Sequence, residues 1–190
     1  MPNTVLLWGN RWWLPHQPSP VVFADLSAAA DALAAAWPDD DRTIRLVFQP
    51  DALESTLVSC PHGNRATLAL ALSEQYPALG DPRRAWSHEP ILPAGDDFTT
   101  LLHHETEPVL FDLIARLQER GFILTAVWPI VTWLNALPTD LADSGSTTIA
   151  AIADDRICLY CDSIDGNRGA FTWNDEQRLQ TLETFLKKRF

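Results

Sequence analysis

Apolar residues recur along this chain with two periods, and the points where one period gives way to the other mark out its strands and helices. Residues 4–8 (TVLLW), 11–14 (RWWL) and 20–24 (PVVFA) are short apolar runs that predict three strands, with Gly9-Asn10 as a tight turn between the first two. Asp25 and Ser27 open an alanine-rich helix over about 27–37. Strands follow at 43–48 and 53–59, separated by Pro50. A helix over 65–76 comes next, with Asn64 as its cap and Leu68, Leu72 and Tyr76 along one line. Residues 77–97 are rich in Pro, Gly and Asp around a strand at 85–91, and 98–104 is the next strand. The best-patterned stretch is 108–137. Leu110, Leu113, Ile114 and Leu117 fall at i, i+3, i+4 and i+7 of a helix that starts near Pro108 and stops at Gly121. Phe122 to Trp128 is apolar on both parities, which predicts a strand covered on both faces. Pro129 opens a second helix carrying Ile130, Trp133, Leu134 and Leu137. Strands at 147–153, 156–162 and 169–173 follow, with turns at Asp154-Asp155 and Asp165-Gly166. A last helix is capped by Asn174, with Gln177 as its capping-box partner.

The order is therefore β-β-β-α-β, then β-α-β-β, then helix-strand-helix, then β-β-β-α. This is an α/β chain whose middle block breaks the pattern of its flanks. The expected division is 1–49, an inserted β-α-β-β subdomain at 50–105, and 106–190, with 108–137 as the joint between two halves. A rigid, packed joint predicts that Trp128 and Trp133 are largely buried.

Composition adds exclusions. The 190 residues are 46% hydrophobic and 21% charged, enough to fold without staples. The net charge of −11 argues against nucleic acid as a partner, because phosphate binding needs clustered Lys and Arg. The compact basic cluster is Lys187-Lys188-Arg189. It suits either a helix C-terminus or the cytoplasmic flank of a membrane segment further on. Cys60, Cys158 and Cys161 make no disulfide framework, which favours a reducing compartment. The sequence shows no signal-peptide pattern and no apolar run of membrane-spanning length. Eight tryptophans are enough to fill a core and still furnish an interface.

Candidate chemistry is sparse. Cys158 and Cys161 have C-x-x-C spacing but lie in a predicted strand, with Cys60 and His62 as the remaining metal-type ligands. His103-His104-Glu105 alternates across a strand, so one histidine should face the core and the other solvent. Asp25, Glu54 and Asp112 are scattered carboxylates with no spacing that groups them around a metal. No G-x-S-x-G, G-x-x-x-x-G-K-[ST] or G-x-G-x-x-G is present, so no catalytic residue and no metal site is assigned. In Asp143-Ser144-Gly145-Ser146-Thr147-Thr148 a glycine flanked by hydroxyls can approach a phosphate through backbone N–H groups; the plainer reading is an ordinary loop.

Three stretches carry a family resemblance: 44–72 (strand, connection, strand ending in Pro, helix), 108–137 (helix, Gly, strand, helix) and 143–160 (a D-x-G turn followed by a hairpin). Together they resemble the actin-like ATPase (ribonuclease-H-like) architecture. In particular they resemble PilM-type pilus-assembly proteins and the cytoplasmic part of type II secretion L subunits. ATP-binding relatives carry an acidic residue, a glycine and a hydroxyl in the first hairpin; here TVLLWGNRWWL keeps only Gly9. The resemblance thus implies a non-catalytic cytoplasmic scaffold at the inner membrane, without a cofactor. It would dock other pilus or secretion platform proteins, such as an assembly ATPase or the cytoplasmic tail of a membrane protein, and a homodimer is compatible with it. The alternatives are an ATPase or metal-dependent nuclease on the same fold, or an unrelated α/β domain for small molecules. If nucleotide binds, the resemblance places Asp143, Gly145, Ser146 and Thr147 at its phosphates.

Overall fold

The computed structural model describes residues 3–15, 17–38, 40–59, 65–94, 97–135, 147–153, 156–162 and 168–173. The expected Asn64 and Asn174 caps and the last helix lie outside the described residues.

The first sheet is built from β1 (Asn3–Trp8), β2 (Arg11–Trp13), β3 (Val21–Val22), β4 (Thr43–Gln49) and β9 (Ile123–Pro129), in the spatial order β3-β2-β1-β4-β9. β1, β2 and β3 pair antiparallel, whereas β4 runs parallel to β1 and β9 parallel to β4. Three meandering strands followed by two parallel ones is the ribonuclease-H-like half of the actin-like architecture. The β1–β2 turn needs a left-handed residue, and Gly9 supplies it at φ 60.

One face of this sheet carries Val5, Leu7, Ile44, Leu46 and Phe48. It is covered by α1 (Leu26–Ala36) through Ala29, Ala30 and Leu33, and by α3 (Leu110–Glu119) through Leu113 and Leu117. Asp25 caps α1 as expected, accepting from the amides of Ser27 (2.9 Å) and Ala28 (3.2 Å). Trp12 is fully buried, and its indole N–H donates to the Ala29 carbonyl at 2.8 Å, fixing α1 to β2. α3 ends in a Schellman motif. Gly121, at φ 81, donates to the Gln118 carbonyl, Phe122 donates to that of Leu117, and Phe122 and Leu117 share the core. The opposite face packs Trp8 and Val47 against Ile130 and Val131 of α4 (Ile130–Asn135) and against Leu101.

The second sheet is antiparallel throughout. Its strands are β5 (Leu53–Ser59), β6 (Trp86–His88), β7 (Leu92–Ala94) and β8 (Asp97–Glu105), all pairing with β8. Helix α2 (Arg65–Gln75) covers one face through Leu68 and Leu72, which meet Val58 and Leu102. A third sheet is the antiparallel meander β10 (Thr147–Ala153), β11 (Arg156–Asp162) and β12 (Arg168–Trp173).

Two expectations need correction. The strand expected at 85–91 is shorter, β6 alone, and β7 follows it at Leu92–Ala94: the pairing with β8 slips by one residue between His88↔Leu102 and Leu92↔Thr99, around Pro90, which has no N–H to donate. The strand after Gly121 is not covered on both faces. Among the described residues it is an edge strand, and Ile123 is 62% exposed. Its register also shifts between Ile44↔Leu124 and Arg45↔Ala126, so Thr125 is the extra residue of the register, and its hydroxyl donates to the Ile44 carbonyl at 3.1 Å. Trp128 and Trp133 are largely though not fully buried, as expected, and the Arg45 guanidinium lies over the Trp128 ring, 5.8 Å from its centre.

Candidate functional site

Strand alternation sends Leu101, His103 and Glu105 of β8 to the face of the second sheet turned away from α2. The pairing register aligns Ser55, His103 and Ser87 across β5, β8 and β6. This face meets the C-terminal ends of β4 and β9. A groove opens between the two sheets, lined by Phe48, Leu53, Ala85, Trp86, Ser87, His103, Leu110, Val127 and Pro129, with a cavity of about 180 Å³. Most of that lining is apolar, and Trp86 on the lip is 36% exposed.

Beneath the groove runs a buried polar chain. His103 is 1% exposed; its Nδ1 lies 2.8 Å from the Ser55 hydroxyl and its Nε2 3.3 Å from Glu89 Oε1. Thr132 of α4 donates its hydroxyl to the same Glu89 oxygen. A carboxylate oxygen only accepts, so Nε2 carries the hydrogen, and in a neutral ring Nδ1 then accepts from Ser55. Four residues from β5, β8, the segment after β6, and α4 thus hold one another, as groups removed from water must.

Glu105 ties the groove together. Its Oε1 accepts from the amides of Val109 (3.1 Å) and Leu110 (2.7 Å), and its Oε2 from Ala85 (2.7 Å). A carboxylate on the N-terminal amides of α3 also meets the positive end of the helix dipole. It explains why α3 begins at Leu110, two residues after Pro108. Arg84 donates to the carbonyls of Glu105 and Thr106, fixing the start of β6 to the end of β8.

The other positions highlighted by the sequence are placed as follows. Both histidines of His103-His104-Glu105 are buried, not one: Tyr76, just past α2, lies over His104 with ring centres 5.5 Å apart. His104 Nε2 has no hydrogen-bond partner and lies 3.9 Å from Glu54 Oε2. Asp25 is a helix cap, Glu54 sits on β5 and Asp112 in the first turn of α3, so the three carboxylates are not brought together. Among the described residues no three His, Cys, Asp or Glu side chains are grouped to hold a metal ion. Asp143, Gly145, Ser146, Cys60 and His62 lie outside the described residues. Thr147 is the first residue of β10, and Cys158 and Cys161 lie within β11. At the first hairpin the Gly9 N–H donates to the Gln49 carbonyl at 2.9 Å, and the Asn10 carbonyl accepts from Phe23 at 3.1 Å, so this tip is knitted into the sheet.

Ser55, Trp86, Glu89, Leu110 and Thr132 were not singled out by sequence reasoning as members of a site. The readable signal was Glu89, a carboxylate in an otherwise weakly charged strand segment and directly before Pro90.

Sheet order and inserted sheet define an α/β chain of actin-like, ribonuclease-H-type architecture. Its structure is similar to a chain of the PilM–PilN type IV pilus biogenesis complex, with a TM-score of 0.64 and 10% identity over 90% of this chain; it spans 60% of that chain. It is also similar to the cytoplasmic domain of EpsL, an inner-membrane component of the type II secretion system of Vibrio cholerae. There the TM-score is 0.51 and the identity 18%, over 94% of this chain and 73% of that one. No family model matches the chain, and no curated protein matches its sequence. Among the described residues no helix is long and apolar enough to cross a membrane.

Proposed function

We propose that this chain is a non-catalytic docking domain of an inner-membrane assembly platform, of the type IV pilus or type II secretion kind. It would act on the cytoplasmic side by holding a short segment of another platform protein. Residues 1–49 and 106–190 would form the actin-like frame and 50–105 the inserted unit that completes the binding groove. The observation that carries this reading is the groove between the two sheets. It is open and mainly apolar, with an aromatic lip, and is braced from below by Glu105 and the Ser55–His103–Glu89–Thr132 chain. The fold is one on which PilM-type and EpsL-type proteins are built, which supports the setting. The knitted Gly9-Asn10 tip supports a role without nucleotide, since the Gly9 N–H that could meet a phosphate is already engaged.

The test is calorimetric titration of the full chain with synthetic cytoplasmic segments of PilN-type and assembly-ATPase platform proteins, alongside ATP with Mg²⁺. One segment should bind with an affinity on the order of micromolar, and Ser87→Trp, which plugs the groove mouth, should abolish it. Tight binding of ATP with Mg²⁺, or no response to any platform segment, would sink this reading.

A further inference from the structure

β6 supplies Trp86 and Ser87 to the groove, and among the described residues it ends the second sheet, pairing with β8 on one side only. That pairing fixes which way its backbone points. Glu105 donates its amide to the Ala85 carbonyl at 3.1 Å, and Glu89 donates to that of Leu101 at 2.9 Å. In an antiparallel ladder the hydrogen-bonded pairs fall on alternate residues. Ala85, Ser87 and Glu89 are therefore turned to β8, and Trp86 and His88 aim their N–H and C=O groups outward. None of these outward groups has a hydrogen-bond partner among the described residues.

An unpaired strand edge is a template for another strand. Its outward donors and acceptors repeat every second residue, roughly 7 Å, and the backbone of another extended chain has the same repeat. The groove supplies the second half of the match. Ser87 is turned to the groove, so a residue laid beside it in an added strand is turned there too. The cavity met there offers no unengaged charge. Both ring nitrogens of His103 are taken, by Ser55 and Glu89, and both Glu105 oxygens hold backbone amides. A charged side chain would be stripped of water there with nothing to pair it, whereas an apolar one loses nothing.

We infer that the open edge of β6 is a strand-addition site. The partner's segment binds as an extended strand, paired through its backbone to Trp86 and His88, and its residue beside Ser87 is apolar and fills the groove. This rests on the docking reading and adds to it the conformation and chemistry of the segment. The unpaired backbone groups select an extended chain over a helix, whose own N–H and C=O groups are already spent on one another. A second copy of this chain is the poorer occupant. β6 is three residues long, roughly 10 Å. Two such edges paired over that length cover far less than the ~1,200 Å² of a stable interface. A segment without a fold of its own can pair with the edge and reach into the cavity together.

The experiment is selection of a random twelve-residue phage-display library on the full chain, followed by titration of the recovered peptides. His88→Pro removes an outward N–H and none of the bonds to β8, whereas His88→Ala removes the ring and keeps that N–H. N-methylation of the peptide, one position at a time, makes the same distinction on the unaltered protein, and so holds even if His88→Pro folds poorly. Affinity should fall roughly tenfold in His88→Pro and far less in His88→Ala. N-methylation should weaken binding at alternate positions only, and the Trp86 and His88 amides should exchange more slowly in the complex. Ser87→Trp, which plugs the groove, should abolish binding. Peptides lost in Ser87→Trp but indifferent to N-methylation at every position would leave the groove as a docking site and overturn strand addition. Peptides indifferent to Ser87→Trp would overturn the docking reading and this inference with it. Recovery of no peptides, of peptides that bind as helices, or a dimer in sedimentation that His88→Pro dissolves would each overturn the inference, the last by assigning the edge to a second copy of this chain.

Discussion

Glu105 Oε1 lies 2.7 Å from the Leu110 amide nitrogen, so the last residue of β8 serves as the N-terminal cap of α3. Because its other oxygen takes the Ala85 amide, one buried side chain ties the start of β6 to the start of α3 at the groove. Glu105→Ala leaves three amides without their acceptor and should cost about 2–4 kcal/mol in urea unfolding. Glu105→Gln, which keeps one accepting oxygen, should cost less. Equal losses in the two variants would remove the capping role.

Thr132→Val is nearly isosteric and removes the hydroxyl that α4 offers to Glu89. A hydrogen bond to a charged group contributes about 1.5–3 kcal/mol. Amide exchange across 109–135 is expected to be slow in the wild type, as for a packed core segment. In the variant, 130–135 should exchange faster while 113–119 is unchanged. Uniform acceleration of both would mean that α4 is not tied separately.

Gly121 occupies a conformation that side chains with a Cβ resist, at φ 81, yet a Cβ there would meet nothing closer than Arg42 Cδ at 3.8 Å. The penalty for Gly121→Ala is therefore conformational and should be about 1–2 kcal/mol. Gly121→Asn should recover part of it. A loss well above that range would point to a clash.

Asp25 links pH to stability. Its carboxyl is held below the ordinary value of 3.8, first by the Ser27 hydroxyl and then by the Ala28 amide. A depressed folded-state pKa contributes stability that is fully present above the unfolded-state value and is lost as pH falls through the folded-state value. The melting-temperature gap between wild type and Asp25→Ala should be constant near neutrality and close as the pH drops below 3.8. A gap that persists unchanged at pH 2 would rule out the charged cap.

Local periodicity made most of the fold legible. The strand at 43–48, the 3.6-residue spacing in 110–117 and the Gly121 stop each depend on residues close in sequence, and each is seen. The groove was not legible, because its parts are distant. Glu89 meets Thr132 across 43 positions and His103 across 14, and Thr106 meets Ala52 across 54. The solvation of His104 was misjudged for the same reason: strand alternation says which way it points, but not that Tyr76 will cover it. Pattern likewise could not tell an edge strand from a central one at Ile123, since an apolar run on both parities fits either until the sheet order is known.

Thr125, the extra residue of the register, has a consequence for how these molecules coexist at high concentration. Residues 122–128 carry no charge to repel a neighbour, and an uncharged edge strand is an invitation to join sheets between molecules. The extra residue breaks the even spacing of outward-facing amides and carbonyls on that edge. A second straight strand can then match one half of β9 or the other, but not both. Such an irregularity should disfavour sheet growth from molecule to molecule, in a place where charge was not used to do so.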